Sequence, residues 1–281
     1  MLALALLAVA LYRMYGPGDL AERLGRLKTR WAPFYEPEMA GNVWLFIGRG
    51  LLVTLEIAVL SIVLSIVFGI VLALMRLARN ERLGIPLTKP ARFAISAPST
   101  VIVQSVRSSP LFLLILFTYL AAPKLGFRPS PFTAGVVVLT VYTSCILAEI
   151  VRAGVLALDR GQFEAADSLG LGYLKKTRLI VLPQALRRMI PSIVSQLVTL
   201  IKDTSLLNVI TVFELTRRLH VISQTRFNPI ESYFVAGAIY FVINFTLSSF
   251  ARRLELRPTR AAAAAPAVQG IGVEDQTVLA K

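Results

Sequence analysis

Long apolar runs, separated by short polar segments, dominate the pattern of hydrophobic and polar positions along the chain. A helix needs about 20 apolar residues to cross a hydrocarbon core about 30 Å thick, and five runs approach or exceed that length. They cover residues 51–74, 93–123, 132–148, 189–213 and 232–251. The pattern therefore predicts an all-α membrane protein with five core transmembrane helices.

The two ends of the chain differ from this central region. Residues 1–11 are apolar but short, which is consistent with the stub of a sixth helix, a signal-like start or an interfacial segment. Residues 12–50 are polar, and Pro17, Pro33 and Pro37 are expected to break any long helix there. We therefore divide the chain into an N-terminal extension with room for a short extra helix and an external segment (1–49), a transmembrane domain (50–255) and a disordered cytoplasmic tail (256–281).

Composition supports the membrane assignment. The chain is 56% hydrophobic and 16% charged, with a mean hydropathy of +0.68, whereas a soluble domain carries about 25% charged residues. The net charge is +14, but the basic residues lie between apolar runs. Their expected partner is therefore the anionic cytoplasmic lipid surface and not nucleic acid. Cys145 is the single cysteine, so no disulfide forms within the chain.

The loops differ in their content of lysine and arginine, which concentrate on the cytoplasmic side of membrane proteins. Five basic residues lie in 75–92, seven in 152–188 and four in 252–260, against two in 124–128 and three in 217–226. This asymmetry predicts that loop 152–188 and the C-terminus face the cytoplasm of a multi-pass protein in the cytoplasmic membrane. One group opposes the rule, since these basic residues would lie outside: Arg13, Arg23, Arg26, Lys28, Arg30 and Arg49.

The loop 152–188 contains a short helix-forming segment. Residues 163–169 are predicted to form two turns, with Glu164 and Asp167 near the N-terminal end, where the helix dipole favours anions. Gly170 then supplies a left-handed stop, and a second helix over 173–181 is expected to end before Pro183. Phe163, Ala166 and Leu169 or Gly170 recur at helical spacing. This apolar face fits either a docking surface for a soluble partner or a helix that packs on its own bundle.

Three ionisable residues fall near the middle of apolar runs, where each costs roughly 2.5–3.5 kcal/mol on insertion scales. They are Arg107, Lys202 and Asp203. Arg107 and Asp203 either pair to hold two helices together or line a path for a polar solute, and the two roles are compatible. Ser109-Pro110 predicts a helix start at this depth, with Ser109 as the cap and Pro110 in the first position.

Two further acidic residues lie in the apolar runs. Glu56, about two turns inside the first run, is expected to face a pore or to pair with another helix. Glu149 is expected to pair with Arg152, three residues later on the same helix, or to take part in an inner gate.

Five ordered segments resemble those of a type I ABC importer permease of the polar amino-acid group, from about residue 42 to residue 257. The segments are Gly50-Leu51-Leu52-Val53-Thr54-Leu55, Val106-Arg107-Ser108-Ser109-Pro110-Leu111, Leu147-Ala148-Glu149-Ile150-Val151-Arg152-Ala153-Gly154, the EAA segment Glu164-Ala165-Ala166-Asp167-Ser168-Leu169-Gly170 with Leu182-Pro183-Gln184-Ala185, and Leu200-Ile201-Lys202-Asp203-Thr204-Ser205-Leu206. One departure is Arg107-Ser108-Ser109-Pro110, where the family usually has Arg-Gly-Thr-Pro, and it leaves the solute open.

The resemblance implies a permease subunit and not an enzyme. It implies a second permease subunit, identical or a sister, two ATPase subunits that bind ATP and Mg²⁺, an extracytoplasmic solute-binding protein and an amino-acid substrate. No metal site or cofactor is expected in this chain. The implied ATPase-docking residues are Phe163, Glu164, Ala165, Ala166, Asp167, Leu169 and Gly170, and the candidate path residues are Arg107, Ser108, Ser109, Lys202, Asp203 and Glu56.

Two other functions fit parts of this pattern. A secondary transporter or channel that works without ATP would keep the five helices but would leave the EAA segment unexplained. A membrane scaffold that docks a soluble protein would explain that segment but not the charges at mid-depth. The stretch 170–177 is not a phosphate loop, because it lacks a glycine directly before Lys176-Thr177 and follows a helix instead of a strand.

Overall fold

The computed structural model of the protein describes the backbone of residues 20–263, together with the side chains of residues 22–249 except those at positions 23, 37, 38, 40 and 82. The first two helices are α1 (Leu20–Tyr35) and α2 (Pro37–Leu77). Pro37 begins α2, because the first helical position needs no N–H donor. Pro33 was expected to interrupt any long helix, but it lies inside α1. The interruption between α1 and α2 comes at Glu36, whose backbone is extended. Residues 1–11 lie outside the described region.

The second apolar run forms two helices instead of one. These are α3 (Lys89–Ser108) and α4 (Leu111–Ala121), followed by a 3-10 turn at Ala122–Leu125, and the chain bends by 108° between them. Pro110 explains the bend, since proline holds the preceding residue in extended backbone, and Ser109 has φ −94 and ψ 138. The predicted break is confirmed, but its predicted cap is wrong. The Ser109 hydroxyl donates back to the Ser105 carbonyl at 2.9 Å, and Pro110 precedes α4.

The remaining helices follow in chain order. They are α5 (Pro131–Leu156), α6 (Arg160–Ser168), α7 (Tyr173–Lys176), a π-helical turn (Thr177–Val181), α8 (Leu182–Asp203), a 3-10 turn (Thr204–Ile210), α9 (Leu215–Arg226) and α10 (Pro229–Ala263). Two predicted boundaries are wrong. The helix does not stop before Pro183, because Pro183 falls in the first turn of α8. The backbone of α10 stays helical to Ala263, beyond the start of the tail expected at residue 256.

Contacts between small and large side chains set the register of the central helices. α5 packs along α2, where Ser65 Oγ donates to the Thr140 carbonyl at 3.2 Å and Gly69 lies against Leu147. α8 runs antiparallel to α5: Leu207, just beyond α8, meets Gly135 near the start of α5, and Met189 meets Gly154 near its end. The buried core at the first of these crossings includes Ile57, Ile115, Leu139 and Leu207.

In the described part of the chain, four helical segments are long and apolar enough to cross a membrane. They are Gly41–Leu77, Pro131–Leu156, Tyr173–Ile210 and Pro229–Ser249, and the bent pair of α3 and α4 makes a fifth if it is one span. The all-α membrane fold expected from the sequence is confirmed, with four or five spans depending on how the bent pair is counted. Cys145, buried on α5, packs in the bundle as expected.

Candidate functional site

A cluster of charges ties three helices together at the end of the bundle that carries α6. Glu149 on α5 accepts hydrogen bonds from Arg76 at the end of α2, and from Arg152 one turn later, where Nη2 lies 2.5 Å from Oε1. Arg107 at the end of α3 lies 3.7 Å from the same carboxylate. The predicted pair of Glu149 with Arg152 is therefore present, and one carboxylate serves three arginines.

The three arginines are not equivalent. The Arg76 side chain is 8% exposed, whereas that of Arg107 is 38% exposed and is the most distant from Glu149. Arg76 and Arg152 donate the hydrogen bonds that Glu149 accepts, whereas the Arg107 guanidinium lies on an open surface at 3.7 Å from the carboxylate. Ser108, the next residue, is also exposed. This arrangement leaves Arg107 able to bind an anionic group, which Arg76 cannot reach.

Arg107 does not pair with Asp203, which corrects one of the two alternatives drawn from the sequence. The crossings of α5 with Leu207 and Met189 place Asp203 close to the level of Leu139, while Arg107 lies at the level of Glu149. Ten residues of α5 separate these levels, or roughly 15 Å at 1.5 Å per residue. The sequence pattern could not supply this distance, because it depends on how the helices pack.

The other candidate path residues lie apart from that cluster. Asp203 ends α8 and is half-buried, Lys202 beside it is exposed, and Glu56 is exposed on α2. Within the described side chains, none of the three makes an ion pair or a side-chain hydrogen bond. The backbone carbonyl of Lys202 accepts a hydrogen bond from Ser205 Oγ at 2.7 Å, where the chain passes from α8 into the following 3-10 turn. Among the described side chains, Lys202 and Asp203 therefore have only each other as a nearby opposite charge along the chain, and Glu56 has none.

The loop segment forms a well-capped helix, but it starts earlier than expected. α6 begins at Arg160, and the Asp159 carboxylate accepts from the Gly161 amide at 2.7 Å. Glu164 and Asp167 consequently lie beyond the first turn. Glu164 pairs with Arg160 at 2.7 Å, and Asp167 pairs at 2.5 Å with the buried Lys176, which fixes α6 against α7.

Gly170 ends the α6 turn as predicted. Its φ is +68, a left-handed conformation that residues with a Cβ resist. The Gly170 amide donates to the Asp167 carbonyl at 2.9 Å and the Leu171 amide to the Ala166 carbonyl at 3.1 Å. These two bonds form a Schellman motif, and they set the direction in which the chain leaves α6.

The apolar face of α6 is turned inward, which is the second of the two alternatives drawn from the sequence, a helix that packs on its own bundle. Phe163 and Ala166 are buried in a cluster with Leu77, Leu158 and Val181. Of the predicted docking residues, those left on the surface are Glu164, Ala165, Asp167, Leu169 and Gly170. Beside them is a polar cavity of about 540 Å³, lined by Arg79, Asn80, Glu81, Arg160, Phe163, Glu164 and Asp167.

Comparison with known proteins identifies this architecture. Residues 65–260 match the family described as binding-protein-dependent transport system inner membrane component. The chain belongs to this family. It is 41% identical over 219 residues to the probable glutamine ABC transporter permease protein GlnP of Bacillus subtilis (strain 168), covering 76% of this chain and 94% of GlnP. It is 34% identical over 211 residues to the arginine transport system permease protein ArtQ of the same organism, covering 75% and 91%.

A solved structure agrees with these relatives. The crystal structure of an amino acid ABC transporter with histidines superposes with a TM-score of 0.69 at 30% identity, covering 78% of this chain and 97% of the other. The resemblance to ABC importer permeases drawn from the sequence motifs is therefore confirmed. α1 and residues 37–64 of α2 lie outside the family match.

A permease needs a polar path through the membrane, and α8 carries a polar stripe that the sequence analysis did not identify. Residues spaced by four, three, four and three positions lie along one side of this spanning helix, and all are polar: Arg188, Ser192, Ser195, Thr199 and Lys202. All but the half-buried Thr199 are exposed, whereas Leu186 and Ile190 are exposed on the opposite side. Helical periodicity could have revealed this stripe in the sequence. Hydropathy alone concealed it, because the run stays apolar on average.

Proposed function

We propose that the chain is a permease subunit of an ATP-driven importer, and that it moves a polar amino acid across the cytoplasmic membrane by alternating access. The relatives named for glutamine and arginine support this class of substrate. The observation that carries the proposal is the polar stripe of α8, from Arg188 to Lys202. Charged groups are costly in contact with lipid, so an exposed polar face on a spanning helix fits a water-filled path.

Each charge has a place in this scheme. Lys202 and Asp203 carry opposite charges at adjacent positions, which suits the carboxylate and the ammonium group of a zwitterion. Arg107, roughly 15 Å further along the bundle, offers a second contact for the carboxylate near the Glu149 cluster. Glu56 and Ser108 complete the set of candidate path residues. Movement of the solute between the two levels would follow the α8 stripe.

The chain supplies one side of such a path, so we infer a second permease subunit, identical or a sister, on the open side of α8. ATP and Mg²⁺ are bound and ATP is hydrolysed in separate ATPase subunits, which dock on α6 through Glu164, Ala165, Asp167, Leu169 and Gly170. An extracytoplasmic solute-binding protein delivers the substrate at the opposite end. The α6 loop and the C-terminus face the cytoplasm.

This orientation is tested by chemical labelling. Cys145 is the only cysteine and is buried, so single cysteines can be introduced without a competing thiol. The exposed Leu174 and Leu125 lie at opposite ends of the bundle. We expect an impermeant reagent to label Leu125→Cys, and not Leu174→Cys, in intact cells. The reverse pattern would invert the orientation.

Uptake of labelled amino acids into proteoliposomes, with the ATPase and the solute-binding protein present, tests the transport function. Ser195→Leu fills the polar stripe and should abolish uptake, whereas Ile190→Leu, on the apolar side of the same helix, should leave it unchanged. Asp203→Asn should lower the apparent affinity and change the preference between solutes of different charge. Uptake that persists without ATP would favour a secondary transporter, and no uptake of any amino acid would favour a scaffold.

Docking is tested separately by co-purification of the ATPase. Gly170→Val forces a β-branched side chain into φ +68, and Glu164→Lys reverses a charge on the outer face of α6. Both should weaken ATPase association and uptake while the permease still inserts. Gly172→Val is the matched control, since Gly172 has an extended backbone and no atom lies within 4 Å of a Cβ placed there. Wild-type association in both α6 variants would refute the docking surface.

A further inference from the structure

The N-terminal extension builds an aromatic cluster at the end of the bundle opposite α6. Trp31 on α1 stacks edge-on against Phe234 of α10, with ring centroids 5.8 Å apart, and lies 5.9 Å from Phe34. Trp44 on α2 donates its Nε1–H to the Phe34 carbonyl at 2.9 Å. These contacts hold α1 firmly against α2 and α10, so its position relative to the spanning helices is defined.

The cluster lies at the level where α10 leaves the hydrocarbon. Phe234 precedes Arg252, the first basic residue at the other end of the α10 apolar run, by 18 residues. At 1.5 Å per residue this is about 27 Å, close to the 30 Å thickness of a bilayer core. Trp31, which packs on Phe234, therefore lies at the boundary between the hydrocarbon and the headgroups.

Part of this region is apolar and uncovered. We call it the rim patch, defined by Leu24, Trp31, Tyr35, Trp44 and Leu45. Leu24 is 56% exposed, Tyr35 48%, Trp44 44% and Leu45 58%. On α1 the apolar positions 24, 27, 31 and 35 follow helical spacing. On α2 the exposed Leu45 lies two turns before the exposed Leu52, so the patch continues onto the surface of a spanning helix.

Cations flank the rim patch. Lys28 and Arg49 are exposed, and Arg26 is partly exposed with Glu22 at 2.6 Å. A helix with tryptophan and leucine on one face and basic residues beside it is typical of a segment that lies in the plane of a membrane interface. Tryptophan and tyrosine also concentrate at that depth. These basic residues are among those that oppose the charge rule for loops, and contact with lipid phosphates would account for their position.

We propose that α1 and the first turns of α2 form an interfacial anchor, whose rim patch lies among the phospholipid headgroups of the leaflet opposite the α6 loop. The anchor holds the outer ends of α2, α9 and α10 at a fixed depth. The proposal rests on the proposed function only for the name of the leaflet. Its test requires no transport, so a failure here is distinguishable from a failure of the importer function.

The protein carries its own reporters, because Trp31 and Trp44 are its only tryptophans. In the full-length protein in lipid nanodiscs, Trp31→Phe leaves Trp44 as the single emitter. We expect lipids brominated near the headgroup to remove most of the Trp44 emission and iodide in the water to remove little. At equal mole fraction, a brominated anionic lipid should quench more than a neutral one, and Lys28→Gln with Arg49→Gln should reduce this difference.

Two variants calibrate the measurement in a Trp31→Phe, Trp44→Phe background. Phe68→Trp places the emitter on the exposed side of α2 within the spanning region, and Leu174→Trp places it on the exposed surface of α7. Quenching of Trp44 by iodide to the extent seen for Leu174→Trp would overturn the proposal and leave the patch free for a soluble protein. Protection from both quenchers would also overturn it, because the patch would then be covered by another protein chain.

Discussion

The Glu149 cluster predicts a graded response to loss of single charges. Glu149→Gln leaves three arginines at the ends of α2, α3 and α5 without their shared counter-charge. Breaking a buried ion pair by removing one partner costs about 3–5 kcal/mol. Because the Glu149 side chain is 21% exposed, we expect a loss near the lower end, about 3 kcal/mol of unfolding free energy.

The arginine variants should cost less, in an order set by their geometry. Arg76→Gln removes a donor that is nearly buried, but Glu149 keeps Arg152 and Arg107, so the loss should be smaller than for Glu149→Gln. Arg107→Gln removes a half-exposed group 3.7 Å away, and exposed pairs contribute about 0.2–1 kcal/mol. A double variant, Glu149→Gln with Arg76→Gln, should recover part of the loss because it also removes the stranded charge.

Two measurements separate stability from transport in this series. The first is the fraction of purified permease that stays monodisperse after heating, and the second is uptake with the ATPase and the solute-binding protein. Hydrogen bonds to charged groups contribute about 1.5–3 kcal/mol, so Arg107→Gln should weaken apparent affinity roughly 10- to 100-fold at nearly normal stability. If Arg107→Gln destabilises the protein as much as Glu149→Gln, Arg107 is a structural member of the cluster and its role in the path is refuted.

Two further predictions concern packing and pH. Gly69→Ala should destabilise the protein by about 1–3 kcal/mol, because its Cβ would lie 2.9 Å from Leu147 Cβ. Gly48→Ala on the same helix has no atom within 4 Å of its Cβ and should be neutral or stabilising in the same heating assay. Equal effects of the two variants would disprove the close packing of α2 on α5. Burial raises the pKa of Glu214 from 4.5 to about 7. The stability that the protonated carboxyl contributes is therefore complete below pH 4.5 and is lost as the pH rises to 7, roughly 3 kcal/mol in all. Glu214→Gln should flatten this dependence, and an unchanged pH profile would contradict the prediction.

The sequence predicts well those features that depend on short stretches of chain. The apolar runs marked the spans because a bilayer imposes their length. Ser109-Pro110 marked the bend because proline restricts its neighbour, and Gly170 marked the end of α6 because few residues adopt its conformation. The family motifs also lie in continuous segments, so five of them in order identified the permease.

Features that depend on packing between distant segments could not be predicted in this way. Arg107 and Asp203 both lay near the middle of apolar runs, yet the α5 register separates them by roughly 15 Å. The sequence places Phe163 and Ala166 on one apolar face of α6, whether that face docks a partner or packs on the bundle. Only their contacts with Leu77 and Val181 show that the face is buried. The partner of Trp31 is Phe234, which lies about 200 residues later in the sequence.

The charged residues of the spanning region fall into two classes, those with an ion-pair partner among the described side chains and those without one. Glu149 pairs with Arg76 and Arg152 within one subunit, so removal of these charges should destabilise the subunit on its own. Glu56, Lys202 and Asp203 find no ion partner among the described side chains, although each lies within a segment apolar enough to span. Lipid would leave them unpaired at a cost of several kcal/mol together. Water, solute or a second subunit can supply the missing stabilisation, and in that case substitutions there should alter the assembled transporter more than the isolated chain.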